Sequence, residues 1–311
     1  MPITTAEAYA PASMGNVGVG FDILGLAFEE PGDVVQAYLR DKPGVAVVAI
    51  EGDNGALPTD PDKNTAAVAA QALLNAVGSQ QGVDLILRKQ LPLASGLGSS
   101  AASAVAAAVA VNALLGSPLA KDDLLAACLE GEARVSGYHA DNVAPSLFGG
   151  IVLIVAQHHI RRLPVPPDLW LALVTPDVAV PTAEARAVLP QFVSLANMTA
   201  QTAAVALLID ALHRGDVEQM AMAMESDQVV EPARVHLMPR LAEVRSAAKR
   251  SGALAVVISG AGPTLCAICD SPDTARLAAA AMKAEYDGAG IASAARHCKV
   301  GMEGARVLCT S

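Results

Sequence analysis

The sequence predicts an α+β fold built from two halves, and three observations lead there. Helical and strand-like segments are intermixed without the strict βαβ rhythm of a doubly wound parallel sheet. Pro164, Pro166 and Pro167, within Arg161 to Asp168, can continue neither a helix nor a central strand and mark a junction. At 311 residues and 31.6 kDa the chain suffices for one large domain or two ordinary ones, with roughly three quarters of the unfolded surface buried on folding. The expected halves are residues 1–163 and 164–311.

Helical periodicity with cap signals runs over Asn64 to Val77, Ser99 to Leu115, Asp122 to Val135, Thr199 to Arg214, Asp216 to Glu225, Pro239 to Ser251 and Asp273 to Tyr286. Asn64 is placed to cap the first, with Gly78 beyond its end. Strand-like runs fall between them, at Val34 to Arg40, Val45 to Ile50, Val83 to Arg88, Ile151 to Gln157, Leu169 to Thr175, Leu254 to Ser259, Leu265 to Cys269 and Arg306 to Cys309.

Composition narrows the function. A chain with 21 basic and 31 acidic side chains, net charge −10, and 3% aromatics suits neither a phosphate backbone nor base stacking, so no nucleic-acid partner is expected. With 53% hydrophobic residues disorder is excluded. Five scattered cysteines suit reduced thiols in a cytoplasm. Cys266 and Cys269 form a C-x-x-C on a strand, where a spacing of three sends them to opposite faces and argues against a metal or redox pair. No signal-peptide pattern opens the chain. The longest apolar run, Ala101 to Leu115, falls short of the ~20 residues a bilayer needs, so no membrane partner is expected.

The sharpest local signal is Pro92 to Ser103, P-L-A-S-G-L-G-S-S-A-A-S, leading from a strand into an alanine-rich helix. Glycines let backbone curl near a ligand, and the unpaired N–H groups of the following helix start suit phosphate. No lysine lies in the segment, which excludes the G-x-x-x-x-G-K-[S/T] loop. A dinucleotide fingerprint on Gly96, Gly98 and Ala101 fails because Lys89 to Ser95 separate the glycines from the strand, and Asp122 and Asp123 open a helix rather than end a strand.

Glu132 stands mid-stripe on the apolar face of its helix, between Leu125 and Cys128, whereas Glu130 lies about 160° away. A carboxylate there is costly unless a cation or hydrogen-bond donors meet it; a metal ion is one such cation, and Arg134 or another arginine is the alternative. Two polar loops complete the candidate site. Tyr9 to Leu26 carries Asn16 and Asp22 in a glycine-rich bend, and His139 to Pro145, H-A-D-N-V-A-P, crowds His139, Asp141 and Asn142.

The P-x-x-x-G-L-G-S-S-A loop resembles the ATP loop of the GHMP kinases. The set narrows the resemblance to the homoserine kinase family: N-x-x-x-G-F-D-I-L-G at the start, S-G followed by H-A-D-N-V-A-P, T-A-E-A-R-A-V-L-P from Thr182 to Pro190, E-P-A-R with L-M-P from Glu231 to Pro239, and S-G-A-G-P-T-L from Ser259 to Leu265. These stand in the family's order from residue 9 to residue 265.

The resemblance implies a two-domain GHMP kinase-like fold, with an N-terminal ribosomal-protein-S5-domain-2-like half, a C-terminal ferredoxin-like half and a cleft between. It implies transfer of the ATP γ-phosphoryl group to the side-chain hydroxyl of L-homoserine, with Mg2+. Pro92, Ser95, Gly96, Leu97, Gly98, Ser99, Ser100 and Ala101 would hold the triphosphate, and Asn64 would lie near the adenine. Ser100 and Glu132 would hold the metal. Arg186 and Arg234 would take the substrate carboxylate, whose planar fork contacts suit guanidinium. Asp22, Asp141, Asn16 and His139 would take its ammonium. Thr182 would cap a short helix, and Ser259 to Thr264 would form a site wall. Asp141 keeps two readings. In mevalonate and galactose relatives an aspartate close behind Ser-Gly can orient or deprotonate the hydroxyl, but here Tyr138, His139 and Ala140 intervene after Gly137. The homoserine kinase pattern gives that carboxylate to the ammonium instead, leaving proton removal to water or phosphate. A homodimer is implied as well. A kinase for another alcohol such as mevalonate, and a non-catalytic ligand-binding relative, are the rival readings.

Overall fold

The computed structural model describes residues 3–134, 137–156 and 159–311. The expected ends at Val135 and Gln157, and Ser136 of the Ser-Gly pair, lie outside the described residues. The first half contains β1 (Thr5–Gly15), β2 (Leu24–Arg40), β3 (Gly44–Glu51), α1 (Thr65–Ala76), β4 (Gly82–Arg88), α2 (Ser99–Leu114), α3 (Leu124–Glu132), α4 (Ala140–Phe148), β5 (Ile151–Ala156) and β6 (His159–Leu163). The second contains β7 (Trp170–Pro176), α5 (Thr182–Ala187), α6 (Leu195–Arg214), α7 (Val217–Met224), α8 (Val230–Arg234), α9 (Leu241–Arg250), β8 (Ala255–Ile258), β9 (Leu265–Cys269), α10 (Pro272–Gly288), β10 (Ser293–Cys298) and β11 (Arg306–Thr310).

The larger sheet runs β11-β1-β2-β4-β3, with β5 pairing β2 and β6 pairing β5. Its last strand belongs to the end of the chain: β11 pairs antiparallel with β1, so residues expected in the second half close the sheet of the first. Strands β3 and β4 are parallel, which requires the crossover supplied by α1. The second sheet runs β10-β7-β9-β8. With α9 between β7 and β8 and α10 between β9 and β10, it is the ferredoxin-like arrangement, into which α5 to α8 are inserted. Helix α2 lies against β1 and β2 and is buried all round, as an alanine-rich helix that admits close neighbours can be; of its residues only Ser100 keeps partial exposure.

Cys266 and Cys269 on β9 face different cores, the main one and a smaller one under α9 and α10, as their spacing predicts. Asn64 caps α1, its carbonyl accepting from the amides of Ala66 and Ala67 at 3.1 and 3.3 Å. Three departures from the sequence reading have local causes. The His139 to Pro145 segment is not a loop: His139 is the N-cap and Ala140–Phe148 is a helix with Pro145 in its interior, a position where proline is ordinarily unfavourable and so masks the helix in the sequence. Strand β6, H-I-R-R-L, carries two arginines where an apolar alternation would run and stops directly before Pro164. Strand β10, S-A-A-R-H-C, lacks the apolar alternation that marks a strand.

Among the described residues α6, rather than the run Ala101 to Leu115, is long and apolar enough to cross a bilayer by length and composition alone. In the fold its Ala204, Leu208, Ala211 and Leu212 stripe packs into the main core.

Candidate active site

A cavity of about 400 Å³ opens between the halves. Its floor is the glycine loop and the start of α2. Gly98 is the N-cap, in the left-handed conformation at φ 64, and no side chain caps the helix. A Cβ on Gly98 would stand 2.2 Å from the Ser13 hydroxyl, so only glycine turns here without strain. The first-turn amides of a buried helix therefore face the cavity, with the positive end of its dipole.

Side chains far apart in sequence hold the loop. The Ser259 hydroxyl donates to the Gly96 carbonyl at 2.7 Å, and the Thr264 amide to the Ser95 carbonyl at 3.1 Å. The third glycine motif thus supports the first, and Gly260 and Ala261 form part of the wall. Below the loop lies a buried network that sequence reading missed. Lys89 donates to the Asp33 carboxylate, to the Ser99 carbonyl at 2.9 Å and to the Ser103 hydroxyl at 2.7 Å. Asp33 also accepts from the amides of Gln90 and Leu91 at 3.0 and 3.3 Å. Burial pulls the Lys89 ammonium below its ordinary value, and the Asp33 charge opposes that. The one available signal was a lysine directly after an apolar strand and before the glycine loop.

Ser95, Gly96, Gly98, Ser99, Ser100, Asn64 and Glu132 all line the cavity. Pro92, Leu97 and Ala101 do not: Leu97 and Ala101 belong to the core, and the Pro92 carbonyl accepts from the Ser95 hydroxyl at 2.8 Å. Leu57, Pro58 and Leu87 give the Asn64 end an apolar lining. At the other end of the loop the Ser100 hydroxyl donates to Glu132 at 2.8 Å. A buried carboxylate joined to a hydroxyl beside a helix start is a hard-oxygen donor pair, and it fits a magnesium ion that draws its other ligands from phosphate and water. Among the described residues no group of three or more His, Cys, Asp or Glu side chains gathers at one point to hold a metal ion.

The opposite wall carries charge of both signs. Arg186 on α5 donates to both Asp22 oxygens, at 3.1 and 2.7 Å, and His139 lies 3.5 Å from the same carboxylate. Burial and then the Arg186 charge keep the His139 imidazole below its ordinary value, with Asp22 opposing. Asp22 itself is not part of the cavity lining and reaches it through these partners. Asn16 is occupied structurally: its side-chain carbonyl accepts from the Asp22 amide at 3.1 Å, and its amino group donates to the Gly260 carbonyl at 3.0 Å. Arg234 donates to the Ala185 and Gly260 carbonyls, each at 3.0 Å. The whole bend is held in sparsely populated backbone, with Asn16 at φ 71, Asp22 at φ 60 and the β-branched Val17 at φ 46. Such strain gathers at functional sites.

Asp141, in the first turn of α4, is buried where Gly15 lacks a side chain; a Cβ there would meet its carboxylate at 2.1 Å. Its Oδ1 has no hydrogen-bond partner. Burial, followed by the Asp22 charge, pushes its carboxyl up to about 7, with Arg186 opposing and Glu132 adding to the rise. The neighbouring Asn142 also lines the cavity and accepts from Ser13 at 3.1 Å.

A cleft that offers helix-start amides on one wall and paired charges on the other, on this two-half fold, defines a kinase of the GHMP class. Family models agree: residues 64–150 match the GHMP kinases N terminal domain, and residues 208–288 the GHMP kinases C terminal domain. The chain is 40% identical to a homoserine kinase of Chloroherpeton thalassium over 96% of its own length and 98% of the relative's. A crystal structure of homoserine kinase from Cytophaga hutchinsonii superposes with TM-score 0.94 at 41% identity, covering 98% of this chain and 97% of that one. The mevalonate kinase of L. major shares the fold at TM-score 0.73 and 17% identity, covering 96% of this chain and 97% of that one. The chain belongs to the homoserine kinase family, and as a member of it is an ATP-using phosphotransferase.

Proposed function

We infer that the protein transfers the ATP γ-phosphoryl group to the side-chain hydroxyl of L-homoserine, giving O-phospho-L-homoserine. One observation carries the reading: a single cavity joins the uncapped start of α2 to a wall lined by Arg186, Arg234 and Asp141, charges of both signs such as a zwitterion needs. Triphosphate would lie on the amides around Gly96 to Ser100, with adenine toward Asn64. Ser100 and Glu132 would hold magnesium, which when bound neutralises charge on the phosphate oxygens.

Arg186 and Arg234 receive the substrate carboxylate, and Asp22 and the orphaned Oδ1 of Asp141 its ammonium. His139 lies at the edge of this set, and Asn16 holds the Asp22 backbone in place. Phosphoryl transfer depends on alignment and charge neutralisation, so a strong base is not obligatory. The carboxyl of Asp141 near 7 supports a second reading, proton removal from the hydroxyl, since a base works best near the operating pH. An Asp141→Asn substitution separates the two: ammonium binding requires the homoserine KM to rise at least as much as kcat falls, whereas a base role requires a kcat loss at constant KM.

The deciding experiment is steady-state ADP formation with L-homoserine against mevalonate, with and without magnesium. Turnover of homoserine alone, dependent on magnesium, is the expected result. Preference for mevalonate, or no turnover of any alcohol, would replace the reading with one of its rivals. The same proposal carries a homodimer in the cytoplasm, supported for the dimer by the exposed apolar Phe192, Leu195 and Met198 around the start of α6. Light-scattering mass and cell fractionation check these two points.

A further inference from the structure

Arg234 is 2% exposed, yet among the described residues no carboxylate pairs with it. Its Nε and Nη1 are spent on backbone carbonyls, which satisfy donors but do not cancel charge. Arg186 has Asp22 as its ion-pair partner; among the described residues Arg234 has no such pair. Burial and then the Arg186 charge disfavour the Arg234 cation, while the charges of Asp22, Asp141 and Asp227 favour it. The two guanidiniums repel, with Arg186 held by Asp22 and Arg234 by the Ala185 and Gly260 carbonyls.

The half-buried ring of Phe21 lies against both cations. The Arg186 guanidinium carbon lies 5.4 Å and the Arg234 carbon 5.6 Å from its centroid, both within the range where a ring face attracts a cation. The three residues come from separate parts of the chain: the N-terminal bend, α5 and α8. One ring is therefore the common contact of both cations, and the bend that bears it is fixed by the Asn16 hydrogen bonds to Asp22 and Gly260.

We propose that Phe21 is a positioning residue, whose ring holds Arg186 and Arg234 at the spacing that brackets one substrate carboxylate and so makes the site select alcohols bearing that group. This rests on the homoserine reading above. Leucine would keep apolar bulk and lose the negative ring face, freeing the cations to separate.

The test is steady-state kinetics of the full chain with Phe21→Leu and Phe21→Tyr, using 3-aminopropan-1-ol, the same alcohol and amine without a carboxylate, as a competing ligand. Phe21→Leu is expected to raise the homoserine KM roughly 5- to 30-fold, while the ATP KM and the inhibition constant of the amino alcohol stay within about twofold. Phe21→Tyr, which keeps the ring face, is expected to restore the homoserine KM to within about threefold of the parent. If Phe21→Leu fails to fold, Phe21→Met takes its place with the same expectations.

An unchanged homoserine KM overturns the proposal. So does a parallel rise for ATP or the amino alcohol, which would make the ring a space filler, or a tyrosine variant as impaired as leucine. If the parent chain turns over no L-homoserine, the substrate reading falls and takes this inference with it; if the parent turns it over and Phe21→Leu does not discriminate, the inference alone falls.

Discussion

Arg186 grips Asp22 through both carboxylate oxygens, at 3.1 and 2.7 Å, across 164 positions of sequence. The pair joins a residue assigned to the substrate carboxylate with one assigned to its ammonium. On the proposed substrate reading a zwitterion would exchange this one ion pair for two.

Arg186→Lys keeps the charge and loses the planar fork, and is expected to raise the homoserine KM by roughly 10- to 100-fold with little change in the ATP KM. Arg186→Gln removes a charge that opposes the upward push on Asp141. The acid limb of the kcat/KM profile for homoserine is then expected to move to higher pH. Both are read by initial rates against pH.

Asp141 should also make stability depend on pH. Its carboxyl ordinarily titrates at 3.8 and in the fold near 7, so the folded chain holds a proton that the unfolded chain has lost in between. The contribution of this group to stability is therefore full below about pH 4 and is lost progressively as pH rises through about 7. Asp141→Asn is expected to remove that loss, raising stability at pH 8 by a few kcal/mol, since each pH unit between the two titrations is worth ~1.4 kcal/mol, while impairing activity. Urea unfolding of parent and variant at pH 5 and pH 8 checks the sign.

Lys89 and Asp33 form a buried pair beneath the glycine loop, with side chains 2% and 1% exposed. Lys89→Met strands a buried carboxylate and is expected to cost about 3–5 kcal/mol. Replacing Asp33 with asparagine in the same chain should return part of it. Denaturant midpoints of the two variants measure both effects.

Glu132→Gln preserves a partner for the Ser100 hydroxyl and removes the charge offered to a metal. The magnesium concentration that supports half-maximal rate is expected to rise roughly 10- to 100-fold or more, with partial rescue of kcat at high magnesium. A magnesium titration at saturating ATP and homoserine shows it.

Most helices and strands were legible because their signals are local. Asn64 caps α1 as its position before an apolar run requires, and Cys266 and Cys269 divide between two cores as a strand of period two requires. The glycine loop was legible too, although Pro92, Leu97 and Ala101 turned out to frame it rather than line it. Asn142 was named with its loop but its contact with Ser13 was not, and Lys89 and Phe21 escaped because each matters through residues distant in sequence, Asp33 for the lysine and the two arginines for the ring.

By itself the sequence determined most of the elements, the phosphate-suited loop and the set of charged residues, since backbone hydrogen bonding, capping and side-chain periodicity act over a few residues. Only the tertiary structure decided that β11 completes the first sheet, that Asp22 closes on Arg186, and that Asp141 is dry enough to hold its proton near neutrality. Those outcomes depend on which distant segments meet and on how much water their meeting expels, and no local pattern encodes either.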